Sequence, residues 1–150
     1  MNWERINIWL SLAANLGVLG GILFLAYEIN QNTSQMRSEA SYSITESLLT
    51  LNGDQYRDPE LLNILLRGGE DFDSLTPLEK RQFSAYQFSR VSLAEYILNL
   101  EREGLSDVQF PYIDALVLDF RRSPGLSEWL DFAKPVWTGS DELLEMLTTP

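Results

Sequence analysis

Arg90, Glu95, Asp114 and Asp119 are the side chains of this 150-residue chain whose types and spacing could do chemistry. On a helical wheel Phe83, Tyr86, Leu93, Ala94, Ile97 and Leu100 form a broad apolar arc, and Arg90 falls inside it. A guanidinium placed there must pair with a carboxylate, stack on an aromatic ring, or reach the edge with its charged head. It then either binds an acidic group of a ligand or partner, or forms a structural ion pair with Asp114 or Asp119, which is the more ordinary outcome. Glu95 on the same helix and Asp114 and Asp119 on the next also raise the prospect of a diacid site for acid–base or metal work. Solvated faces and surface ion pairs outweigh that prospect when no histidine stands beside the carboxylates.

The chain has no histidine and no cysteine. The first absence removes the usual general base, the Ser-His-Asp triad and most zinc sites. The second removes thiolate nucleophiles, iron–sulfur clusters and a disulfide framework. Gly17-x-x-Gly20-Gly21 is no phosphate cradle, because it lies inside an apolar helix. Asp71-Phe72-Asp73 begins like a calcium loop, but Leu75 and Thr76 stand at the third-ligand and glycine positions and Gln82 replaces the closing glutamate. The expectation is a chain with no catalytic residue, no metal and no cofactor, and hence not an enzyme.

The elements that position these residues are helices. Ile29 to about Leu51 has no proline or glycine and reads as one helix ending at Asn52-Gly53. Asp58-Pro59 is an N-cap followed by proline at the first helical position, and that helix is expected to stop at Gly68-Gly69. Thr76-Pro77-Leu78-Glu79 is a capping box that opens a helix running to Glu103 and closing at Gly104. Ser106 and Gln109 start another to about Arg122, Ser123-Pro124 a shorter one towards Lys134-Pro135, and Ser140 a last one through Met146. The predicted fold is all-α: a single N-terminal transmembrane helix, residues 1–29, continuing into a small antiparallel helical bundle, residues 30–150.

The transmembrane reading rests on Ile8 to Tyr27, about twenty nearly unbroken apolar residues without a charge, the length that crosses a bilayer core of roughly 30 Å. A soluble core helix would show a polar face, and only Ser11 and Asn15 interrupt this one. A cleavable signal would have a shorter apolar run and a small-x-small site, whereas Phe24-Leu25-Ala26 is bulky at its first position. Trp3, Trp9 and Tyr27 sit where interfacial aromatics belong. Ala13, Gly17 and Gly21 recur every four residues with Gly20 beside them, a stripe that lets helix backbones approach in lipid. Asn15 lies about 160° away around the helix, so it either demands a hydrogen-bond partner on a further helix or, with Ser11 one turn earlier, faces lipid or bonds locally.

Eleven basic against twenty-two acidic residues leave a net charge of −11, which phosphate backbones and anionic lipid surfaces repel. Nucleic acid is therefore excluded as a partner. Arg5 before the span and Arg37 after it leave the orientation undecided.

Taken together, the stretches NW…I…LG…FLAYEINQNTSQMR, DPELLNILLRGGEDFDSLTPLEKRQF, EYILNLEREGLSD and SPGLSEWLDF resemble a widespread, uncharacterised family of small bacterial proteins with one N-terminal membrane span and a helical domain. The resemblance covers most of the chain. It implies a fold and an inner-membrane location, and it transfers no activity and no catalytic residue. Glu95 matches an acidic position of that family. Relatives carry arginines just after the span, which implies a cytoplasmic domain, whereas this chain has Asn30 and Ser34 there and only Arg37 is basic.

The sequence thus predicts a membrane-anchored, non-enzymatic interaction protein, such as an accessory subunit, scaffold or small regulator. It would associate with itself or with a membrane-protein partner. The alternative is a membrane-tethered bundle that binds a small acidic ligand or has carboxylate-based activity.

Overall fold

The computed structural model describes residues 3–105, 111–137 and 139–149. The described residues form six α-helices and no strand: α1 (Trp3–Arg57), α2 (Pro59–Glu70), α3 (Pro77–Arg102), α4 (Tyr112–Arg122), α5 (Pro124–Ala133) and α6 (Asp141–Thr148), with a 3₁₀ turn at Lys134–Val136. The all-α expectation holds, with a long apolar N-terminal helix followed by a packed helical domain. The chain divides into two compact units, Met1–Glu39 and Ala40–Pro150, with the boundary inside α1.

The described residues of the first unit are helix alone. Residues 3–32 are exposed without exception, the apolar stretch included. This is the one helix among the described residues that is long and apolar enough to cross a membrane. Thr33 turns its hydroxyl back to the Ile29 carbonyl at 2.9 Å, which satisfies it without leaving the helix.

The second unit begins with the last turns of α1, which supply Ala40 and Ile44 to the core. Helix α1 does not end at Asn52-Gly53 as expected. Gly104 is the one described residue with positive φ, so Gly53 stays helical and no left-handed cap forms there. The break comes at Asp58, whose φ of −121° and ψ of 94° are the extended backbone that a following proline imposes. Asp58 then caps α2, its carboxylate accepting from the amides of Glu60 at 3.0 Å and Leu61 at 3.1 Å.

Helix α2 also runs past its expected stop at Gly68-Gly69, to Glu70. The reason is packing. A β-carbon at Gly68 would overlap the Phe83 ring and fall 2.8 Å from Leu75 Cδ1, and one at Gly125 would overlap the Gly68 carbonyl oxygen. Gly68 thus makes room for the Phe83 ring of α3, and Gly125 lets α5 approach the backbone of α2, rather than either ending a helix.

The capping box of α3 forms as expected. Thr76 Oγ1 accepts from the Glu79 amide at 3.4 Å, and Glu79 returns a carboxylate oxygen to the Thr76 amide at 2.8 Å. Helix α3 closes on Glu103 and on Gly104, whose φ is +66°. The expected helix start at Ser106 and Gln109 lies outside the described residues; the described part of that helix is α4. Ser123 precedes α5 without a side-chain cap, whereas Ser140 caps α6 by accepting from the Leu143 amide at 3.2 Å. At the centre stands Trp129, fully buried, its indole N–H donating to Ser84 Oγ at 3.1 Å, with Phe88 and Phe120 meeting it edge-on.

Candidate functional site

Arg90 sits on the inner side of α3 among Phe83, Val91 and Ala94, all buried. Its side chain is only 15% exposed, and such a charge is tolerable only when paired and hydrogen-bonded. Two neighbours meet that demand. Nη2 donates to Asp119 Oδ2 on α4 at 2.6 Å, and Nη1 donates to Gln87 Oε1, one turn earlier, at 3.2 Å. The Tyr112 hydroxyl, from the first turn of α4, donates to the Arg90 carbonyl at 3.0 Å. Burial pushes the Tyr112 phenol up to about 12, against the smaller opposing effect of the Arg90 charge, so it stays a neutral donor.

Of the two carboxylates expected to face Arg90, the structure selects Asp119. The buried face of α4 is Ile113, Leu116 and Phe120, which turns Asp119 towards α3 at its edge and leaves Asp114 exposed in the first turn. Asp114 there favours the positive end of the helix dipole.

Glu95 has a different task. One carboxylate oxygen accepts from both the amide and the hydroxyl of Ser140, at 3.1 and 2.9 Å, tying the start of α6 to α3. Its other oxygen lies 3.9 Å from Arg102, which also pairs with Glu142. The Glu142 hydrogen bond holds the Arg102 guanidinium above its ordinary value. Glu95, Asp114 and Asp119 are thus committed to three separate surroundings instead of a shared diacid site. Among the described residues no group of acidic side chains is arranged to hold a metal ion.

Arg90, Gln87 and Asp119 line an open cleft of about 510 Å³. Its apolar wall includes Leu51 of α1 and Leu62 and Leu66 of α2, while Arg122, Tyr86 and Glu70 complete the polar side. The sequence singled out Arg90 and its acidic partner but not Gln87, which is 3% exposed. The signal was present, because Gln87 lies one turn from both Phe83 and Val91 on the apolar arc. Tyr112 was missed because nothing local ties its phenol to α3.

The residues singled out on the N-terminal helix, Ala13, Asn15, Gly17, Gly20 and Gly21, are all exposed. A β-carbon at any of the three glycines would meet nothing within 4 Å. Compared with protein-family models, curated proteins and solved structures, the chain matches none of them.

Proposed function

We propose that this protein is a membrane-anchored, non-enzymatic interaction protein, an accessory subunit, scaffold or small regulator, held in the bacterial inner membrane by a single pass of α1. One observation carries the reading: none of the apolar window of α1 is buried within the chain. Each Å² of apolar surface left in water costs about 25 cal/mol, so a helix of this composition needs lipid or other helices around it. A core helix of a soluble domain would be covered by its own chain.

Association is supported by the contrast between two sets of glycines. Gly68 and Gly125 are required by neighbours in the same chain, whereas Gly17, Gly20 and Gly21 have open space where a side chain would go. A small-residue stripe without an intramolecular reason fits close packing against another transmembrane helix, of a second copy or of a membrane-protein partner. Asn15 would take its hydrogen bond from such an assembly.

The test begins with extraction of native membranes by alkaline carbonate and sequencing of the protein's N-terminus. Release into the supernatant, or an N-terminus beyond Tyr27, would overturn the anchor. Purification in a mild detergent with mass determination then reads the assembly. A stoichiometric partner or a homo-oligomer supports an interaction role, and a solitary monomer contradicts it.

A further inference from the structure

We propose that the cleft beside Arg90 binds a small amphiphile with a single anionic head group, which replaces Asp119 on the Arg90 guanidinium. The site lies wholly within the second unit, so the inference stands apart from the membrane reading of α1.

Shape comes first. A cleft of about 510 Å³ falls in the range of small-molecule sites, which run from roughly 300 to 1,000 Å³. Leu51, Leu62 and Leu66 give the cleft an apolar lining, with Leu66 left 64% exposed, and Arg90 and Arg122 line it as well. A ligand matched to those walls has an apolar tail and a charged head.

The two partners of the ion pair differ in their freedom. Arg90 is 15% exposed and Asp119 is 56% exposed. Asp119 can therefore turn into water at little cost, while Arg90 cannot be left without an anion. Gln87 holds one guanidinium nitrogen, so the guanidinium keeps a hydrogen-bond partner that orients it when its carboxylate leaves. A planar fork fixed in this way is preorganised for a carboxylate or phosphate oxygen pair.

Charge counting gives the valence of the head group. Arg90 and Arg122 (+2) face Glu70 and Asp119 (−2) around the cleft, a sum of zero. With Asp119 turned out, two cations face Glu70 alone, leaving +1 for one anion. Arg122 is exposed and makes no ion pair among the described residues, so it is available as the second cation.

The experiment uses the full chain in phosphatidylcholine nanodiscs and equilibrium dialysis with labelled decanoate, decyl phosphate and decanol, empty discs being subtracted. Saturable one-to-one binding of decanoate or decyl phosphate is expected, with decanol at least about tenfold weaker, the size of one charge-assisted hydrogen bond. Whichever anion binds tighter tells whether a carboxylate or a phosphate source supplies the ligand. Asp119→Asn removes the competing anion and is expected to tighten binding about tenfold; Arg90→Met is expected to weaken it at least tenfold. The proposal is overturned by equal binding of decanol and the anions, by no saturable binding of either anion, or by an Asp119→Asn affinity no tighter than wild type. Asp119→Asn carries the decision should Arg90→Met fail to fold: asparagine keeps a side-chain oxygen that can accept from Arg90 Nη2 while Gln87 holds Nη1, and a circular-dichroism melt of the variant verifies its fold.

Discussion

Gly125 on α5 lies so close to the Gly68 carbonyl on α2 that a single methyl group between them would overlap the oxygen. That neighbour is backbone, which cannot swing aside as a side chain can. Gly125→Ala is therefore expected to destabilise the domain by at least about 2 kcal/mol. Gly53→Ala should stabilise it by about 0.5–1 kcal/mol, because Gly53 is helical and has nothing within 4 Å. Urea unfolding followed by circular dichroism separates the two; equal midpoints would remove the packing account of Gly125.

Gly17 and Gly21 lead to the opposite expectation. Replacing both by isoleucine should abolish cross-linking between membrane helices and leave the melting of the domain unchanged, since a β-carbon at either position meets nothing within 4 Å. Cross-linking at the wild-type level would dispose of the helix-packing role.

Glu79 makes α3 sensitive to acid. Hydrogen bonds from the Thr76 amide and hydroxyl, and then the Arg67 guanidinium, lower its carboxyl from 4.5 to about 2. A depressed value means that the folded state favours the ionised form. Its contribution is therefore complete above pH 4.5 and is lost as pH falls towards about 2. Melting of Glu79→Gln should lie below wild type at pH 6 and converge on it as that window is crossed. Parallel curves throughout the window would show that the carboxylate contributes nothing through its charge.

Tyr112 acts at the other end of the scale. Its phenol is raised from 10.0 to about 12, so the folded state favours the protonated form. The stabilisation is complete below pH 10 and disappears as pH rises through about 12. An ultraviolet titration should contain one late-ionising tyrosine that Tyr112→Phe removes. Persistence of the late step in the variant would assign it to another phenol.

Glu95→Ala should free the start of α6. The carboxylate accepts from two Ser140 groups, so its loss is expected to cost about 1–2 kcal/mol and to speed amide exchange along α6 ahead of α3. Uniform acceleration across both helices would mean that Glu95 supports the whole domain rather than one helix end.

What could be read in advance was local. Asp58-Pro59, Thr76 with Glu79, and Ser140 each announce a helix start through residues a turn apart, and each starts a helix as expected. Arg90 was legible for the same reason, since its burial follows from its own helix's apolar arc. Gly53 was misread as a helix end because a glycine permits a left-handed cap without requiring one, and Gly68 because its role depends on what lies across from it. For Gly68 those neighbours are Phe83 and Gly125, which no local window contains. The choice of Asp119 over Asp114 likewise depended on how α4 turns its apolar face, and the bond from Ser140 to Glu95 on the meeting of elements remote in sequence. Tertiary placement, not residue type, supplied those pairings.

The meeting of Gly68 with Gly125 has a bearing on biosynthesis. Helix α2 leaves the ribosome long before α5, yet its backbone contact and the Glu128 carboxylate that accepts from the Phe72 amide at 2.9 Å come only with α5. Until then the Phe72 ring lacks the Phe132 ring of α5, 5.4 Å away between centroids, and such uncovered aromatic surface is what chaperones recognise in unfinished chains. The packing of α2 is thus completed only when α5 is present, so this part of the domain closes late during synthesis.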